Sequence, residues 1–276
     1  DNTRKLIGVL SLRDLILASP TKKIGDIMKT IVSSVKTTDD QEVAAKVIQK
    51  YDLLAIPVVD QEDRLVGIVT VDDVIDIFEE EATEDMEKMA AVHLPEEEYF
   101  KAGFFRAVRK RATWLIILIV AETFTSDLIE SYTTSLTSLV ALAYFIPMLT
   151  SSGGNTGAQS STLVIRALAI GEVRLAEWWK ILRRELWIGA TLGILLGGVA
   201  FIKVYQSLGD FTTGLAVGLA LLAVVLVGNI IGAVIPMVFR RLGWDPATVS
   251  SPLIATILDL TGLLIYFEVT RRMLSI

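Results

Sequence analysis

The most informative residue for chemistry is an aspartate within a long apolar stretch. Asp259 lies in residues 252–269, a run long enough to cross a membrane as a helix. It would be about 10 Å from the start of that helix, where an ionised carboxylate costs at least about 2.5 kcal/mol. A bound cation or a water-filled path would offset this cost, whereas a protonated carboxyl would need a partner on a neighbouring helix. We expect a cation site at Asp259, with Ala255, Gly262 and Tyr266 on the same helical face, which would expose the carboxylate beside an uncluttered backbone.

Other polar groups interrupt the remaining apolar stretches. Asn229 shares one stretch with Pro236, and its amide and the carbonyl freed by the proline must be satisfied by neighbours or by water. Asn155 lies in a polar, glycine-rich segment within the second stretch. Together with Gly262, these two asparagines are the candidates for lining a pore. Glu122, in the first stretch, is a weaker candidate, since an acid that only stabilises the packing of a helix bundle would give the same sequence pattern.

Five apolar stretches predict five membrane spans. They cover residues 114–131, 136–166, 186–204, 214–239 and 252–269. The second is longer than one straight span needs, so we expect it to be broken or tilted. Lys and Arg precede the first stretch and fill the loops after the second and fourth, which predicts a cytoplasmic N-terminal half and a C-terminus outside. Glycines four residues apart in the third and fourth spans predict close helix packing.

Composition divides the chain into two halves and excludes several kinds of site. The mean hydropathy is +0.55, but residues up to about Arg111 are rich in charge and those after Trp114 are mostly apolar. The chain has no cysteine and one histidine, His93, which excludes a disulfide framework and Cys-rich or His-rich metal sites. The net charge of −6 argues against nucleic acid as a partner and suits metal cations.

The polar half contains two copies of one pattern. Residues 6–16 and 65–75 each read as an apolar strand with a glycine, followed by a hydroxyl residue and an aspartate that open a helix. The pairs are Ser11 with Asp14 and Thr70 with Asp73. A hydroxyl and an acid at this spacing cap a helix N-terminus. Because the chain opens without Met, close to the strand predicted for residues 6–10, we expect it to be a fragment of a longer protein.

A complete unit of strands and a helix lies between the two copies. Its order and motifs resemble a cystathionine-β-synthase (CBS) domain over residues 22–82, preceded by the tail of another such domain at residues 1–21. Domains of this kind pair in tandem, and many hold the ribose and phosphate of an adenine nucleotide with the hydroxyl and aspartate of the motif. Two interpretations of Thr70 and Asp73 therefore stay open, contact with ATP and plain helix capping.

An acidic helical stretch joins the two halves. Residues 83–112 are predicted as a connecting helix that ends in a basic flank before the first span. Carboxylates this dense repel one another unless a cation lies between them. A solvated helix face and a Mg²⁺-responsive connector are both compatible with the pattern, because hard oxygen ligands suit Mg²⁺. His93, near the predicted end of the helix, is expected to be incidental.

Segments from both halves resemble the MgtE family of Mg²⁺ channels, over essentially the whole chain. The resemblance lies in the CBS pattern, the acidic connector, Pro-Met-Leu-Thr-Ser-Ser-Gly-Gly-Asn-Thr-Gly-Ala-Gln at 147–159 and Ser-Pro-Leu-Ile-Ala-Thr-Ile-Leu-Asp-Leu-Thr-Gly at 251–262. It implies a multi-domain, non-enzymatic protein of the cell membrane. An α/β CBS-type regulatory domain would precede an all-α membrane domain of five helices at residues 113–276, with one pore on the two-fold axis of a homodimer.

The resemblance also implies roles for particular residues. The family binds hydrated Mg²⁺ with the aspartate of the last helix, so Asp259 and the carbonyl of Ala255 are the implied pore ligands. Cytoplasmic acids of the family bind Mg²⁺ and hold the connecting helix over the pore. The matching candidates are Asp72, Asp73, Asp76, Glu81 and Glu84. The implied partners are Mg²⁺, the lipid bilayer and a second copy of the chain, and ATP is a regulator to be tested.

Three other functions are compatible with parts of the pattern. An intramembrane aspartyl hydrolase needs two close carboxylates that share a proton, and Glu122 is the acid that could be invoked beside Asp259. A nucleotide sensor merely anchored in the membrane does not account for Asp259. A proton- or Na⁺-coupled divalent-cation carrier would usually have further buried acids or internal repeats. The sequence leaves open whether Mn²⁺, Co²⁺ and Ni²⁺ pass along with Mg²⁺.

Overall fold

A computed structural model describes residues 4–30, 32–91, 103–132, 140–249 and 251–275. The chain divides into two compact units, Asp1–Glu84 and Asp85–Ile276, each with its own apolar core. Residues 92–102 of the predicted connector, which include His93, and the start of the predicted second span lie outside the described residues.

The first unit is built around a small three-stranded sheet. Its elements are α1 (Leu12–Leu17), α2 (Ile24–Ile27), β1 (Val35–Lys36), α3 (Gln41–Tyr51), β2 (Ala55–Val59), β3 (Leu65–Thr70) and the first part of α4 (Val71–Met89). The sheet order is β1-β2-β3, with β1 parallel and β3 antiparallel to β2. Ala44, Ala45 and Ile48 form one apolar face of α3, and they pack with Ile56 of β2 and Val74 of α4. Helix α4 follows β3 directly and crosses the boundary between the two units.

The strand predicted for residues 6–10 is wrong. At and just before this segment the backbone forms two isolated bridges, Lys5 with Arg64 and Val9 with Lys29, and no continuous strand. Because the two bridges have different partners, no ladder of hydrogen bonds can propagate along the segment. The second half of the pattern is confirmed, since α1 begins after Ser11, whose Oγ accepts a hydrogen bond from the backbone N–H of Asp14.

The second unit is a bundle of long helices. They are α5 (Phe104–Ser131), α6 (Ile146–Ala169), α7 (Trp178–Leu208), α8 (Phe211–Arg241) and α9 (Ser251–Leu274). In the described part of the chain, α5, α7, α8 and α9 are long and apolar enough to cross a membrane. Helix α6 has 24 residues but carries the polar segment 151–159, so the count of five spans stays a prediction.

The second predicted span is not a uniform helix. A 3₁₀ segment, Val140–Phe145, leads into α6, and Pro147 lies in the first turn of α6. Proline is tolerated there because the first backbone N–H groups of a helix have no intrahelical acceptor. Helix α7 differs more from the prediction, because it begins at Trp178 rather than at Leu186 and so takes in a charged segment that was assigned to a loop.

The predicted glycine packing is confirmed. Helix α7 lies against α8 through Gly197, where an added Cβ would be 2.5 Å from the carbonyl oxygen of Gly218. Helix α6 lies against α8 in the same way through Gly157 and Gly232. Backbones this close leave little room between α6, α7 and α8, so any polar side chain at their junction must find its partners there.

Candidate ion-binding site

Asp259 is placed within α9, eight residues after its first residue, Ser251. Its side chain is partly buried, and within the described residues no hydrogen bond to the protein is present. Glu122 of α5 is near enough to interact with it electrostatically. Two acids in such an arrangement repel each other unless a cation or a proton lies between them. This environment can accept a cation and offers no competing protein donor from the described chain.

The helical face predicted to be open beside Asp259 is packed at two positions. Gly262 is buried against Val224 of α8, where an added Cβ would lie 3.3 Å from Val224 Cγ1. Tyr266 is fully buried and donates its hydroxyl hydrogen to the carbonyl oxygen of Leu142 at 2.8 Å. These two contacts fix α9 within its own chain. The prediction of an uncluttered backbone is therefore wrong at these two positions, and a pore-lining role of Gly262 stays a prediction.

Ala255 lies one turn before Asp259, where α9 approaches α6. Its Cβ would be 3.6 Å from a Cβ added to Gly154 of α6. Because Gly154 has no side chain, the two backbones come close together at this level. Ala255 is partly buried, and its carbonyl as an ion ligand stays a prediction.

The two asparagines have opposite environments. Asn155 is exposed on α6, on one face with Ser151 and Gln159, and its Nδ2 lies 3.4 Å from Ser151 Oγ. Asn229 is only 3% exposed and points towards Gly189 of α7. Its Nδ2 has no hydrogen-bond partner in the described part of the chain. Asn155 thus keeps the surface position that a pore-lining residue needs, whereas Asn229 lies inside its own chain.

A buried acid at the junction of α6, α7 and α8 was missed by the sequence analysis. Glu185 of α7 is 7% exposed. Its Oε2 lies 2.9 Å from Ser160 Oγ of α6, and the same hydroxyl lies 3.0 Å from the carbonyl oxygen of Asn229 of α8. The signal was obscured because Glu185 follows Arg183 and Arg184 and directly precedes the predicted start of the third span.

The hydroxyl and aspartate of the CBS-type motif bond to each other. Asp73 Oδ2 accepts hydrogen bonds from Thr70 Oγ1 at 2.6 Å and from the backbone N–H of Thr70 at 3.0 Å. The Thr70 hydroxyl, followed by the backbone bond, holds the pKa of Asp73 below its usual value. This is the geometry of helix capping, and a nucleotide would have to share or replace these bonds.

The acids of α4 are spread along the helix rather than gathered. Asp72 and Asp76 are exposed, and Glu81 accepts a hydrogen bond from Gln41 Nε2 of α3 at 2.9 Å. Among the described residues, no three acidic or histidine side chains form a group that could hold a metal ion. A regulatory Mg²⁺ on α4 would therefore need water or another segment for its remaining ligands.

Comparison with known proteins identifies the family. The model described as "MgtE: Divalent cation transporter" matches residues 146–269, and the CBS domain model matches residues 24–80. The chain is 45% identical over 275 residues to the magnesium transporter MgtE of Thermus thermophilus, and 38% identical over 269 residues to that of Enterococcus faecalis. These alignments cover 100% and 98% of this chain. The chain belongs to the MgtE family.

This MgtE-family chain spans about three fifths of the length of those relatives, 61% and 59% respectively. The structure described as the cytosolic domain of the Mg²⁺ channel MgtE in complex with ATP is 53% identical where it overlaps. The overlap covers 28% of this chain and 31% of that chain, with a TM-score of 0.27, and it bears on neither the fold nor the ligand here. The predicted fold class, a CBS domain with a helical membrane domain, is confirmed by the family match and the long apolar helices.

The MgtE-family chain also has an ion pair that the sequence analysis did not identify. Lys88 lies near the end of α4, and its Nζ is 2.6 Å from Asp245 Oδ2. Both residues belong to the second unit. Asp245 also accepts the backbone N–H of Ala247 and so caps the short 3₁₀-helix Pro246–Thr248 before α9. The two residues are 157 positions apart, so no local pattern could have paired them.

Proposed function

We propose that the chain is the CBS-containing and membrane-spanning part of a Mg²⁺ transporter, in which Asp259 binds the ion on its way into the cytoplasm. The observation that carries this proposal is the environment of Asp259, a partly buried carboxylate near Glu122 without a hydrogen bond to the described residues. Positive charge between the two acids would relieve their repulsion. The relatives are magnesium transporters by name, which supports Mg²⁺ as the cation between the two acids.

A polar stripe on α6 supports a pore between two copies of the chain. Ser151, Asn155 and Gln159 recur every four residues and are exposed in the single chain. Lipid offers such side chains no hydrogen-bonding partner. A second copy related by a two-fold axis would let the stripes of both copies border a common water-filled path. Asn155 would then line the pore, while Asn229 and Gly262 would act from inside each chain.

The chemistry of Mg²⁺ fits this arrangement. Mg²⁺ dehydrates reluctantly and prefers octahedral oxygen ligands, so a pore can bind it through its water shell. Two Asp259 carboxylates, one from each copy, would match its double charge. The carbonyl of Ala255, one turn earlier, would accept hydrogen bonds from the ion's waters.

Cytoplasmic Mg²⁺ and ATP are the proposed regulators. The exposed acids of α4, including Asp72 and Asp76, would attract Mg²⁺ to the helix that joins the CBS domain to the membrane domain. ATP would contact Thr70 and Asp73 only by exchanging part of their mutual hydrogen bonding for bonds to the nucleotide. Both ligands would change the rate of Mg²⁺ transport, and neither is an alternative to transport as the function.

The test is Mg²⁺ influx into vesicles that contain the purified chain or Asp259→Ala, Asp259→Asn or Asp127→Asn. Asp127 is an exposed acid of α5 and serves as a matched control for loss of one membrane-domain charge. We expect influx to fall to the level of empty vesicles in both Asp259 variants and to persist in Asp127→Asn. Persistence of influx in well-folded Asp259 variants would place the ion path elsewhere.

A coupled carrier is the second candidate, because carriers usually have further buried acids, and the helix bundle holds acids besides Asp259. Glu122 lies near Asp259, and Glu185 is buried in the same bundle. A carrier would need a gradient of H⁺ or Na⁺ to concentrate Mg²⁺, whereas a channel would not. Influx driven by the Mg²⁺ gradient alone, with H⁺ and Na⁺ equal on both sides, favours the channel.

A further inference from the structure

Glu185 has a hydrogen-bonding environment that the transport proposal does not use. Ser160 Oγ of α6 is within bonding distance of two oxygens, Glu185 Oε2 of α7 at 2.9 Å and the carbonyl oxygen of Asn229 of α8 at 3.0 Å. A serine in a helix usually bonds back to its own helix, as Thr156 does to the carbonyl of Ser152 one turn earlier. The Ser160 hydroxyl instead joins three helices.

If Glu185 is ionised, the Ser160 hydroxyl offers too few hydrogen-bond donors for the acceptors around it. Ser160 has one hydroxyl hydrogen to donate, yet it lies between two acceptors. A carboxylate can accept about four hydrogen bonds, and Glu185 would receive at most this one shared donor from the described residues. One additional proton on Glu185 completes the series of hydrogen bonds, because Glu185 can then donate to Ser160 and Ser160 to the carbonyl of Asn229.

No positive charge replaces the missing proton within the described residues. Glu185 makes no ion pair there. The charged residues of the three helices at this junction, apart from Glu185, are Arg166, Lys180, Arg183, Arg184, Lys203, Arg240 and Arg241. Arg183 and Arg184, its neighbours on α7, are exposed, and Lys180 pairs with Glu177. An unpaired carboxylate that is 7% exposed among membrane helices would be costly.

The amide of Asn229 gives an independent indication. Its Nδ2 is buried beside Gly189, one turn from Glu185 on the same face of α7. This donor has no partner in the described part of the chain. A carboxylate anion nearby would be its natural acceptor, whereas a neutral carboxyl already bonded to Ser160 has much less need of it.

We propose that Glu185 is a proton-binding site of the membrane domain, separate from the Mg²⁺ site at Asp259. The bound proton lies on Oε2 and is donated to Ser160 Oγ, whose own hydrogen is donated to the carbonyl oxygen of Asn229. The proton thereby ties α7 to α6 and α8. Its release would leave a carboxylate at a glycine-lined junction and would require water or a cation to enter there.

Infrared spectroscopy of the purified full chain at neutral pH tests the proposal directly, because a protonated carboxylic acid has a carbonyl stretch separate from the carboxylate bands. We expect one such band in the unmodified chain and in Asp259→Asn, and its loss in Glu185→Gln. Glutamine has a similar shape and can donate to Ser160, so this variant should fold. A spectrum without the band, or a band that survives in Glu185→Gln, would overturn the proposal.

Ser160→Ala and a Mg²⁺ titration separate the proton from other ligands. Removing the Ser160 hydroxyl should shift the band to higher frequency, since the acid loses its hydrogen-bond acceptor. Adding Mg²⁺ should leave the Glu185 band unchanged, and its disappearance with Mg²⁺ would overturn the proposal in favour of a metal site. These readouts do not depend on transport, so the Glu185 proposal and the Asp259 proposal can fail independently.

Discussion

Asp259 and Glu185 are both acids on membrane helices, but their surroundings differ. Each lies about two turns after the first residue of its helix, Ser251 for α9 and Trp178 for α7. Glu185 is 7% exposed and is hydrogen-bonded to Ser160. Asp259 is partly exposed and has no hydrogen bond to the described residues. The depth along the helix is similar, so depth alone does not determine what a membrane acid does.

Packing accounts for the difference. The close-packed region, defined by Glu185, Ser160 and Asn229, lies where glycines bring α6, α7 and α8 together. The open region, defined by Asp259 and Glu122, involves α5, and only 6% of the apolar part of this helix is buried within the chain. An acid enclosed by protein is satisfied by protein groups, whereas an acid beside an open helix remains available for an ion.

The largest expected effect separates the two acids by transport. Asp259→Ala should reduce Mg²⁺ influx to the level of empty vesicles, because it removes the carboxylate to which we assign ion binding. Glu185→Gln should retain most of the influx, because the neutral side chain can reproduce the bond to Ser160. Initial rates with ²⁵Mg²⁺ or a Mg²⁺ indicator measure both. Loss of influx in a folded Glu185→Gln variant would remove the distinction between the regions.

The second prediction separates the same acids by stability. Glu185→Ala leaves Ser160 without its partner and opens a cavity, so we expect a loss of about 1–3 kcal/mol from the missing bond, with a further loss from the cavity. Glu185→Gln should lose less than half as much. Thermal unfolding in one detergent gives the comparison. Equal losses in both variants would mean that the bond to Ser160 contributes nothing.

The third prediction concerns the glycines that enclose the close-packed region. Gly197→Ala places a Cβ 2.5 Å from the carbonyl oxygen of Gly218, so α7 and α8 must separate. We expect a loss of about 1–3 kcal/mol in the free energy of unfolding. Gly198→Ala is the matched control, because nothing lies within 4 Å of its added Cβ. The control should be neutral or slightly stabilising, and equal losses would contradict the close packing.

The two acids also mark how far sequence can predict the site. Asp259 is recognisable because it lies in the interior of a long apolar run, whereas Glu268, the other charge of that run, lies at its end. Glu185 is hidden by the adjacent Arg183 and Arg184, since a basic flank looks the same whether or not the helix continues through it. Only the contact with Ser160, 25 residues away, distinguishes a buried acid from a loop residue.

The fold follows the same rule. Apolar runs and glycine spacing predicted the long helices and their close contacts, because both depend on local composition. The strand at residues 6–10 was wrong, because pairing depends on what lies beside a strand, and here Lys5 and Val9 meet different partners. The packed face at Gly262 and Tyr266 could not be predicted either, since it depends on where α8 and the segment before α6 lie.

The smallest expected effect uses a third pair of acid and hydroxyl, at the aqueous end of a membrane helix. Asp210 caps α8 and accepts hydrogen bonds from Thr213 Oγ1 at 2.5 Å and from the backbone N–H of Thr213 at 2.8 Å. The Thr213 hydroxyl, followed by the backbone bonds, holds the pKa of Asp210 below its usual value. A lowered pKa in the folded state stabilises the fold at neutral pH, and this contribution is lost as the pH falls through the folded pKa.

Thr213→Val removes the hydroxyl and leaves the backbone bond, so the pKa of Asp210 should rise part of the way to its usual value. The acid-induced loss of stability should become correspondingly smaller. A ¹³C NMR titration of labelled aspartate, with Asp210→Asn for assignment, measures the shift. At the exposed Asp210 the Thr213 hydroxyl thus favours the ionised carboxylate. At the buried Glu185 we instead assign the Ser160 hydroxyl as the partner of a protonated carboxyl. An unchanged titration of Asp210 would mean that backbone capping alone sets its charge, and that the contrast with Glu185 depends on burial and not on the hydroxyl.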